Sequence, residues 1–459
     1  MCGRPTGRGF AFKDDGLERL AELGNVAQFV SFSPSVEQRY CRIAGFAPNH
    51  RFSSWQAAVG ALFAASDEHR LNARSYRPDS EQGNDFFYAL ESLDAVLARV
   101  SSLTSAGFHV IANETVDVND RGVSGVALGP VVEFAPGGTP RVVEHGRIAS
   151  LPRPLAKAVL RRVYGFEPEI DVGAGYRVEF SVHPAKRGYR RTHTLLWEIQ
   201  AYECPRLRPL LRWPNDFSEM LGDKVFGLLM ADSVGLLVPN TTALSRTLAP
   251  FQFGRETGSD QKWLRTCPRT PHPGRFATVC GWVDPFELMH KEDPDGRELA
   301  SLLIQDAVPA LYSGAAIAGT DGQPIIEGVL GPGQAFMLGA APPDELPTEV
   351  RAAVHELYER SSDAFGGVRL EWVYDGAQAW VVQLQQERAE SSGATVVPGA
   401  VESEVDFDVT EGLDKLRVLV DRLRGTRTGI RLIGNVGMTS HAADVLRRNG
   451  VPSRIVSPP

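Results

Sequence analysis

Cysteine is scarce in this chain: five residues among 459, at positions 2, 41, 204, 267 and 280, with no CxxC pair. That scatter argues against a metal site and reads as buried or free thiols in a reducing cytosol. Long apolar runs are also missing, since no stretch approaches the ~18–20 residues that span a bilayer. The start, Met1-Cys2-Gly3-Arg4-Pro5, has no apolar segment behind it of the kind a secretory leader needs. The expectation is a cytoplasmic protein with no membrane partner. An excess of positive charge is absent too, with 48 Lys and Arg against 56 Asp and Glu for a net charge of −8. A broad basic face for nucleic acid is therefore not expected, although a local pocket for phosphates is compatible with this balance.

What is present is the composition of a globular protein, 43% hydrophobic and 23% charged, which argues against disorder over most of the length. Two breaks divide it. One runs from Cys204-Pro205 to Trp213-Pro214-Asn215-Asp216, the other from Glu390-Ser391-Ser392-Gly393 to Pro398-Gly399 and into the acidic stretch Glu402 to Asp408. The expected domains are 1–210, 211–390 and 395–459. The last is short for an independent core, so it should dock onto something.

The first two segments carry an internal repeat. Arg74-Ser75 matches Arg265-Thr266, and Ser124-Gly125-Val126 matches Ser313-Gly314-Ala315. Arg177-Val178-Glu179-Phe180 matches Arg369-Leu370-Glu371-Trp372, and Leu196-Trp197-Glu198-Ile199-Gln200 matches Val381-Val382-Gln383-Leu384-Gln385. Four pairs in one order at similar spacing indicate two copies of one α+β unit. In the second copy, Val225, Leu228 and Leu229 recur at helical spacing over 224–234, and Gly235 stops that helix ahead of a strand beginning at Leu236. Leu346, Val350, Val354 and Leu357 predict an amphipathic helix over 346–360. Val368 to Trp372 and Ala379 to Leu384 predict a hairpin turning at Tyr374-Asp375-Gly376.

Several residues in this frame could carry chemistry. Lys224 follows Gly222-Asp223 at a helix start, where an ammonium beside backbone amides suits a polyphosphate; a solvated surface lysine is the alternative. Arg265 lies in the apolar run Trp263-Leu264-Arg265-Thr266-Cys267 and could fork two phosphate oxygens or form a structural ion pair. Glu371 and Gln383 fall on the two strands of the hairpin and can share one face as hard oxygen ligands for Mg²⁺, which takes few protein ligands and keeps sites for phosphate and water. His441 lies in Gly437-Met438-Thr439-Ser440-His441-Ala442-Ala443. There Thr439 or Ser440 can cap a helix from His441 to Asn449 that Gly450 closes. An imidazole on that first turn could carry a phosphoryl group, favoured by the helix dipole; an ordinary capping-loop histidine is the alternative. Gly331-Pro332-Gly333-Gln334 lacks the third glycine of a dinucleotide loop. The basic run Lys186-Arg187-Gly188-Tyr189-Arg190-Arg191 reads as a solvated hairpin loop of the first copy.

Residues 222–387 resemble the nucleotide-binding domain of the phosphoenolpyruvate synthase and pyruvate phosphate dikinase family. The resemblance is carried by Gly222-Asp223-Lys224 through Gly235-Leu236-Leu237-Val238-Pro239, by Leu264-Arg265-Thr266-Cys267, and by Gln305-Asp306-Ala307-Val308 through Ser313-Gly314-Ala315. Gly331-Pro332-Gly333-Gln334 through Leu338-Gly339, and Leu370-Glu371-Trp372 through Val382-Gln383-Leu384-Gln385, complete it. Thr439-Ser440-His441-Ala442-Ala443 is similar to that family's mobile phosphohistidine segment, in shortened form. The resemblance implies a duplicated ATP-grasp-like two-lobed unit with a short C-terminal α/β segment, and it implies ATP and Mg²⁺ as cofactors. Lys224, Arg265, Gln305 and Glu327 would bind the nucleotide, Glu371 and Gln383 the metal, and His441 with Arg265 would act in catalysis. Gln385 stands where the family has arginine, Gln334 where it has glutamate, and Val436 and Asp444 replace a glycine and an aliphatic residue near the histidine. The first copy, with Glu198 at the glutamine position and Lys13 as its one early lysine, reads as a degenerate copy, an acceptor site or a scaffold.

The leading expectation is an ATP-dependent phosphotransferase acting on a small-molecule acceptor through phosphohistidine. Direct phosphoryl transfer, and a regulatory subunit that binds ATP without turnover, stand beside it. A homo-oligomer or a partner subunit stays open.

Overall fold

A computed structural model describes residues 12–78, 85–138, 147–171, 173, 175–201, 209, 211, 213–270, 276–320, 322–387 and 391–456. The chain is α+β and forms two compact units, Met1–Phe217 and Ser218–Pro459. Among the described residues no helix is long and apolar enough to cross a membrane.

The first unit opens with α1 (Lys13–Leu23), β1 (Phe29–Phe32), β2 (Gln38–Arg42), α2 (Trp55–Ala65), β3 (Leu71–Tyr76), β4 (Phe86–Leu90), α3 (Leu93–Ser105) and β5 (His109–Glu114). These strands make a sheet in the order β2-β1-β5-β3-β4. Val59 and Leu62 of α2 and Val96 and Val100 of α3 close a core over Val30, Phe32 and Val110 on it. The second half adds β6 (Val123–Leu128), β7 (Val131–Pro136), β8 (Ala149–Pro152), α4 (Arg153–Tyr164), β9 (Tyr176–Arg187) and β10 (Thr192–Ala201), with sheet order β10-β9-β6-β7-β8. A short helix, α5 (Asp216–Leu221), spans the sequence boundary between the units.

The second unit repeats the plan. It contains α6 (Asp223–Ser233), β11 (Thr241–Ser245), β12 (Phe251–Phe253), β13 (Lys262–Pro268), β14 (Thr278–Cys280), α7 (Pro285–Glu292) and β15 (Leu299–Asp306). Then follow β16 (Tyr312–Ala318), β17 (Pro324–Leu330), α8 (Gln334–Met337), α9 (Thr348–Phe365), β18 (Val368–Tyr374) and β19 (Ala379–Gln386). Its sheets run β12-β11-β15-β13-β14 and β17-β16-β18-β19. Strand for strand these are the orders of the first unit, less β8, so the duplication expected from sequence is a duplication of topology.

The matched Ser-Gly pairs have a packing reason. A Cβ on Gly314 would lie 2.0 Å from the Glu327 carbonyl oxygen and 2.8 Å from the Trp372 ring. One on Gly125 would lie 2.3 Å from the Glu133 carbonyl and 2.8 Å from the Phe180 ring. In each copy the glycine makes room for the aromatic opposite it on the neighbouring strand.

The remaining residues form β20 (Thr395–Val397), β21 (Ser403–Asp408), α10 (Leu413–Leu423), β22 (Thr428–Ile433), α11 (His441–Asn449) and β23 (Ser453–Val456), with sheet order β20-β23-β22-β21. Their core, with Leu416, Ile430, Leu432 and Leu446, also takes in Ile317 of β16, so this short segment buries apolar surface against the rest of its unit. The helix of His441 begins and ends where expected: the Ser440 hydroxyl accepts from Ala443 N, and Gly450 at φ 61° ends it. The strand expected from Leu236 begins instead at Thr241. Pro239 forms only an isolated bridge with Arg255, and the Leu237 carbonyl accepts from Val381 N at 2.8 Å, so this segment lies alongside β19 as an irregular edge.

Candidate active site

The second sheet of unit 2 sets a row of side chains across four strands. Ala315 on β16 pairs with Glu327 on β17 and with Glu371 on β18, and Glu371 pairs with Gln383 on β19. Directly paired residues share a face, so Glu327, Glu371 and Gln383 stand on one side of the sheet. Beside this row the β18–β19 register slips between Glu371 and Trp372 and leaves Val382 as a bulge. Its carbonyl accepts from Arg265 Nη1 at 3.1 Å. The bulge thus ties the β18–β19 hairpin to the strand that carries Arg265.

Lys224 reaches the same place from α6, which packs against β19 and β13. Its Nζ donates to the Thr266 carbonyl at 3.2 Å. Gly222, at φ 88°, brings the helix start against β13; a Cβ there would sit 2.6 Å from Cys267 Cβ. Burial pulls Lys224 below the ordinary lysine value, and Arg265 pushes the same way. Burial alone would raise Glu371, but Arg369, His441 and Arg265 outweigh it and hold the carboxyl below its ordinary range.

His441 opens α11, and its loop is fastened to the row. Glu327 Oε1 accepts from Met438 N at 3.1 Å, and its Oε2 accepts from Thr439 N at 2.8 Å and Thr439 Oγ1 at 2.9 Å. Gly437 permits this approach, since a Cβ would lie 2.7 Å from both Glu327 Oε2 and the Phe336 ring. Arg369 Nη2 donates to the Thr439 carbonyl at 2.9 Å and Nη1 to Glu371 Oε1 at 3.2 Å. Burial lowers the His441 value from the ordinary histidine range, and the nearby Arg369 and Lys224 add to that while Glu371 and Asp444 oppose it. The balance favours the neutral form of the imidazole.

Lys224, Arg265, Glu371 and His441 thus share one electrostatic environment, and Gln383 pairs with Glu371. Gln305 shares the face of Arg265, two residues beyond Arg265's partner Leu303, and its Nε2 donates to Thr241 Oγ1 at 3.5 Å. Glu327 spends both oxygens on the histidine loop. Sequence reasoning passed over Arg369, Glu387, Arg447 and Arg448. Arg447 Nε donates to Glu387 Oε1 at 2.6 Å and Nη1 to the Met438 carbonyl at 2.7 Å, while Arg448 bonds Asp444 and Gln385. The repeat marked one of them, because Arg177-Val178-Glu179 and Arg369-Leu370-Glu371 match.

In the first unit the equivalent row is Glu133, Glu179 and Glu198, with Arg177 Nη1 on Glu179 Oε1 at 2.8 Å. Lys13 is exposed. Tyr76 stands where unit 2 has Cys267, its hydroxyl 2.5 Å from Asp14 Oδ1, and Arg39 Nε reaches Asp14 at 2.7 Å. In the first copy the strand position matched to Cys267 thus belongs to an Asp14, Tyr76 and Arg39 group.

Among the described residues no cluster of three or more His, Cys, Asp and Glu is built to hold a metal ion. Glu371 and Gln383 nevertheless suit Mg²⁺, which needs one or two protein oxygens beside phosphate. Arg265 Nε is buried without a hydrogen-bond partner, so it has a donor to offer an anionic group.

No family model matches the chain, and no curated protein does. Solved structures similar to it include D-alanine–D-alanine ligase from Bacillus anthracis complexed with ATP, at 13% identity over 38% of this chain and 57% of that one, TM-score 0.25. The RimK domain protein ATP-grasp from Sphaerobacter thermophilus DSM 20745 is similar at 15% identity over 36% and 58%, TM-score 0.24. D-cycloserine synthetase DcsG is similar at 15% identity over 42% and 62%, TM-score 0.23. The match spans little more than half of each of those chains, and none of their activities transfers to this one.

Proposed function

We propose that this chain is an ATP-dependent phosphotransferase of ATP-grasp-like type that passes phosphate through His441 to a small-molecule acceptor. The observation that carries the reading is the position of His441, held on a capped helix start within the field of Glu371, Lys224 and Arg369. The motif resemblance to the phosphoenolpyruvate synthase and pyruvate phosphate dikinase family supports it.

Lys224 and Arg265 each donate to one backbone carbonyl and have further N–H groups for phosphate oxygens. Glu371 and Gln383 would hold Mg²⁺, which supplies charge neutralisation on the phosphates when bound. The neutral imidazole attacks the β-phosphorus. A nitrogen–phosphorus bond forms, the bond from that phosphorus to the α,β-bridging oxygen breaks, and AMP leaves with the electron pair. Water then cleaves the terminal phosphoanhydride, and the remaining phosphoryl group passes to the acceptor hydroxyl or acid, restoring the imidazole.

Incubation with ATP labelled at the β-phosphate tests this. Acid-labile label on the protein, absent from His441→Ala, is expected, with AMP as product. ADP formation that survives His441→Ala overturns the histidine route in favour of direct transfer. A second reading is favoured by Gln385, which stands at the family's arginine position and accepts from Arg448: an ATP-binding regulatory subunit. Mg-ATP binding without release of AMP or ADP, whatever the acceptor, would decide for it.

A further inference from the structure

We propose that Arg369 is a positioning residue that couples the metal carboxylate to the histidine loop, so that a divalent cation arriving on Glu371 loosens the hold on that loop. This rests on the reading of Glu371 as a metal ligand.

Arg369 is 1% exposed and bridges two parts of the chain that are far apart in sequence. Nη1 donates to Glu371 Oε1 and Nη2 to the Thr439 carbonyl, two residues before His441. A guanidinium is planar, so its two forks fix both partners in one plane, and displacement of one is felt by the other. The first unit supplies an internal comparison. Arg177 makes the same contact to Glu179, at 2.8 Å, on the equivalent strand, so the arginine–glutamate pair belongs to the hairpin itself. The contact to Thr439 is what unit 2 adds, and it is made to the segment that carries the histidine.

The charges give the coupling its sign. Arg369 is a cation already seated on Glu371, and a divalent ion binding the same carboxylate competes for its oxygens and repels the guanidinium. Loss of that anchor weakens the bond to Thr439. Glu327 and Arg447 hold Met438 and Thr439 independently of Glu371, so the expected response is a looser loop on a retained segment.

Hydrogen exchange of residues 436–442 in the full chain, with and without Mg²⁺ and α,β-methylene ATP, tests the coupling; calorimetry follows binding of the analogue in the same samples. In the wild type, loading is expected to speed exchange of the Met438 and Thr439 amides about tenfold, the worth of one charge-assisted hydrogen bond. In Arg369→Met the fast exchange is expected without ligand, with no further rise on loading, and the analogue should bind more tightly than in the wild type. A merely structural arginine would not tighten binding when removed. Arg369→Lys keeps the charge but loses the fork, and it should show the same uncoupling if Arg369→Met does not fold. Analogue binding to the wild type with no change in loop exchange overturns the coupling alone. A nucleotide-dependent rise that persists in Arg369→Lys or Arg369→Met does the same. Failure of the wild type to bind the analogue overturns the nucleotide reading and the coupling together.

Discussion

Glu327 and Thr439 lie on different elements of unit 2, and a single carboxylate oxygen of Glu327 accepts both the backbone N–H and the hydroxyl of Thr439, at 2.8 and 2.9 Å. A carboxylate that accepts three bonds in this way fastens the loop. Glu327→Ala removes three acceptor contacts at once. Charge-assisted bonds of this kind contribute about 1.5–3 kcal/mol each. The amides of Met438 and Thr439 should therefore exchange at least about tenfold faster in the variant, with those of β22 unchanged. Unaltered exchange at these two amides would show that Glu327 does not hold the loop.

Lys224 and Arg265 enter the site from different elements and donate to neighbouring stretches of backbone. If both contact phosphate, Lys224→Ala and Arg265→Ala should each weaken Mg-ATP binding about 10- to 100-fold, the loss expected for a desolvated charge-assisted contact. Lys13→Ala in the first unit should leave the affinity as it was, because Lys13 is exposed and Tyr76, Asp14 and Arg39 fill the adjoining space. Calorimetry on the three variants separates these outcomes, and an equal loss in Lys13→Ala would place a nucleotide in the first copy.

Local chemistry was legible in the sequence wherever the signal and the partner lay close together. The Ser440 cap, the Gly450 stop, the helix of Lys224 and the pairing of Glu371 with Gln383 all follow from spacing within one element or one hairpin. The repeat was legible as well, because matched glycines and aromatics answer to the same packing in each copy. The partners of Arg265, Glu327 and Arg369 were not legible. Arg265 finds Val382, Glu327 finds Thr439 and Arg369 finds the Thr439 carbonyl only after distant segments have packed together. No periodicity encodes such a meeting. The strand expected at Leu236 failed for a related reason: Pro239 and an edge against β19 outweighed the apolar run.

Arg447 and Glu387 form an ion pair with side chains 0% and 7% exposed. Removing one partner from such a pair leaves a buried charge and costs about 3–5 kcal/mol, whereas replacing both by apolar groups is often neutral. Arg447→Met should loosen the segment from Thr395 to Val456, measured as increased exchange across β20 and α11. The double variant Arg447→Met with Glu387→Leu should recover much of the protection. If the single and double variants lose equal protection, the pair acts through packing and not through charge.

Asp293, at the end of α7, accepts from Arg297 N, Glu298 N and Leu299 N at 3.1, 3.1 and 2.8 Å, and Arg246 lies 3.5 Å away. Burial alone would raise its carboxyl, but the three N–H groups and Arg246 outweigh that and hold it below the ordinary carboxylate value. A depressed folded-state value means that the unfolded chain binds the proton first as pH falls. The stabilising contribution is therefore complete above the unfolded carboxyl value of about 3.9 and is lost as pH drops through the lower folded value. Asp293→Asn keeps one acceptor oxygen and should destabilise unit 2 by about 1–2 kcal/mol at pH 7. Exchange of the Leu299–Asp306 amides in denaturant reads that difference. It should be constant from pH 7 to about pH 5 and shrink below about pH 4, where the unfolded wild-type chain takes up the proton before the folded one does. A gap of the same size at pH 3 and pH 7 would mean that Asp293 holds the start of β15 by shape alone, with no contribution from its charge.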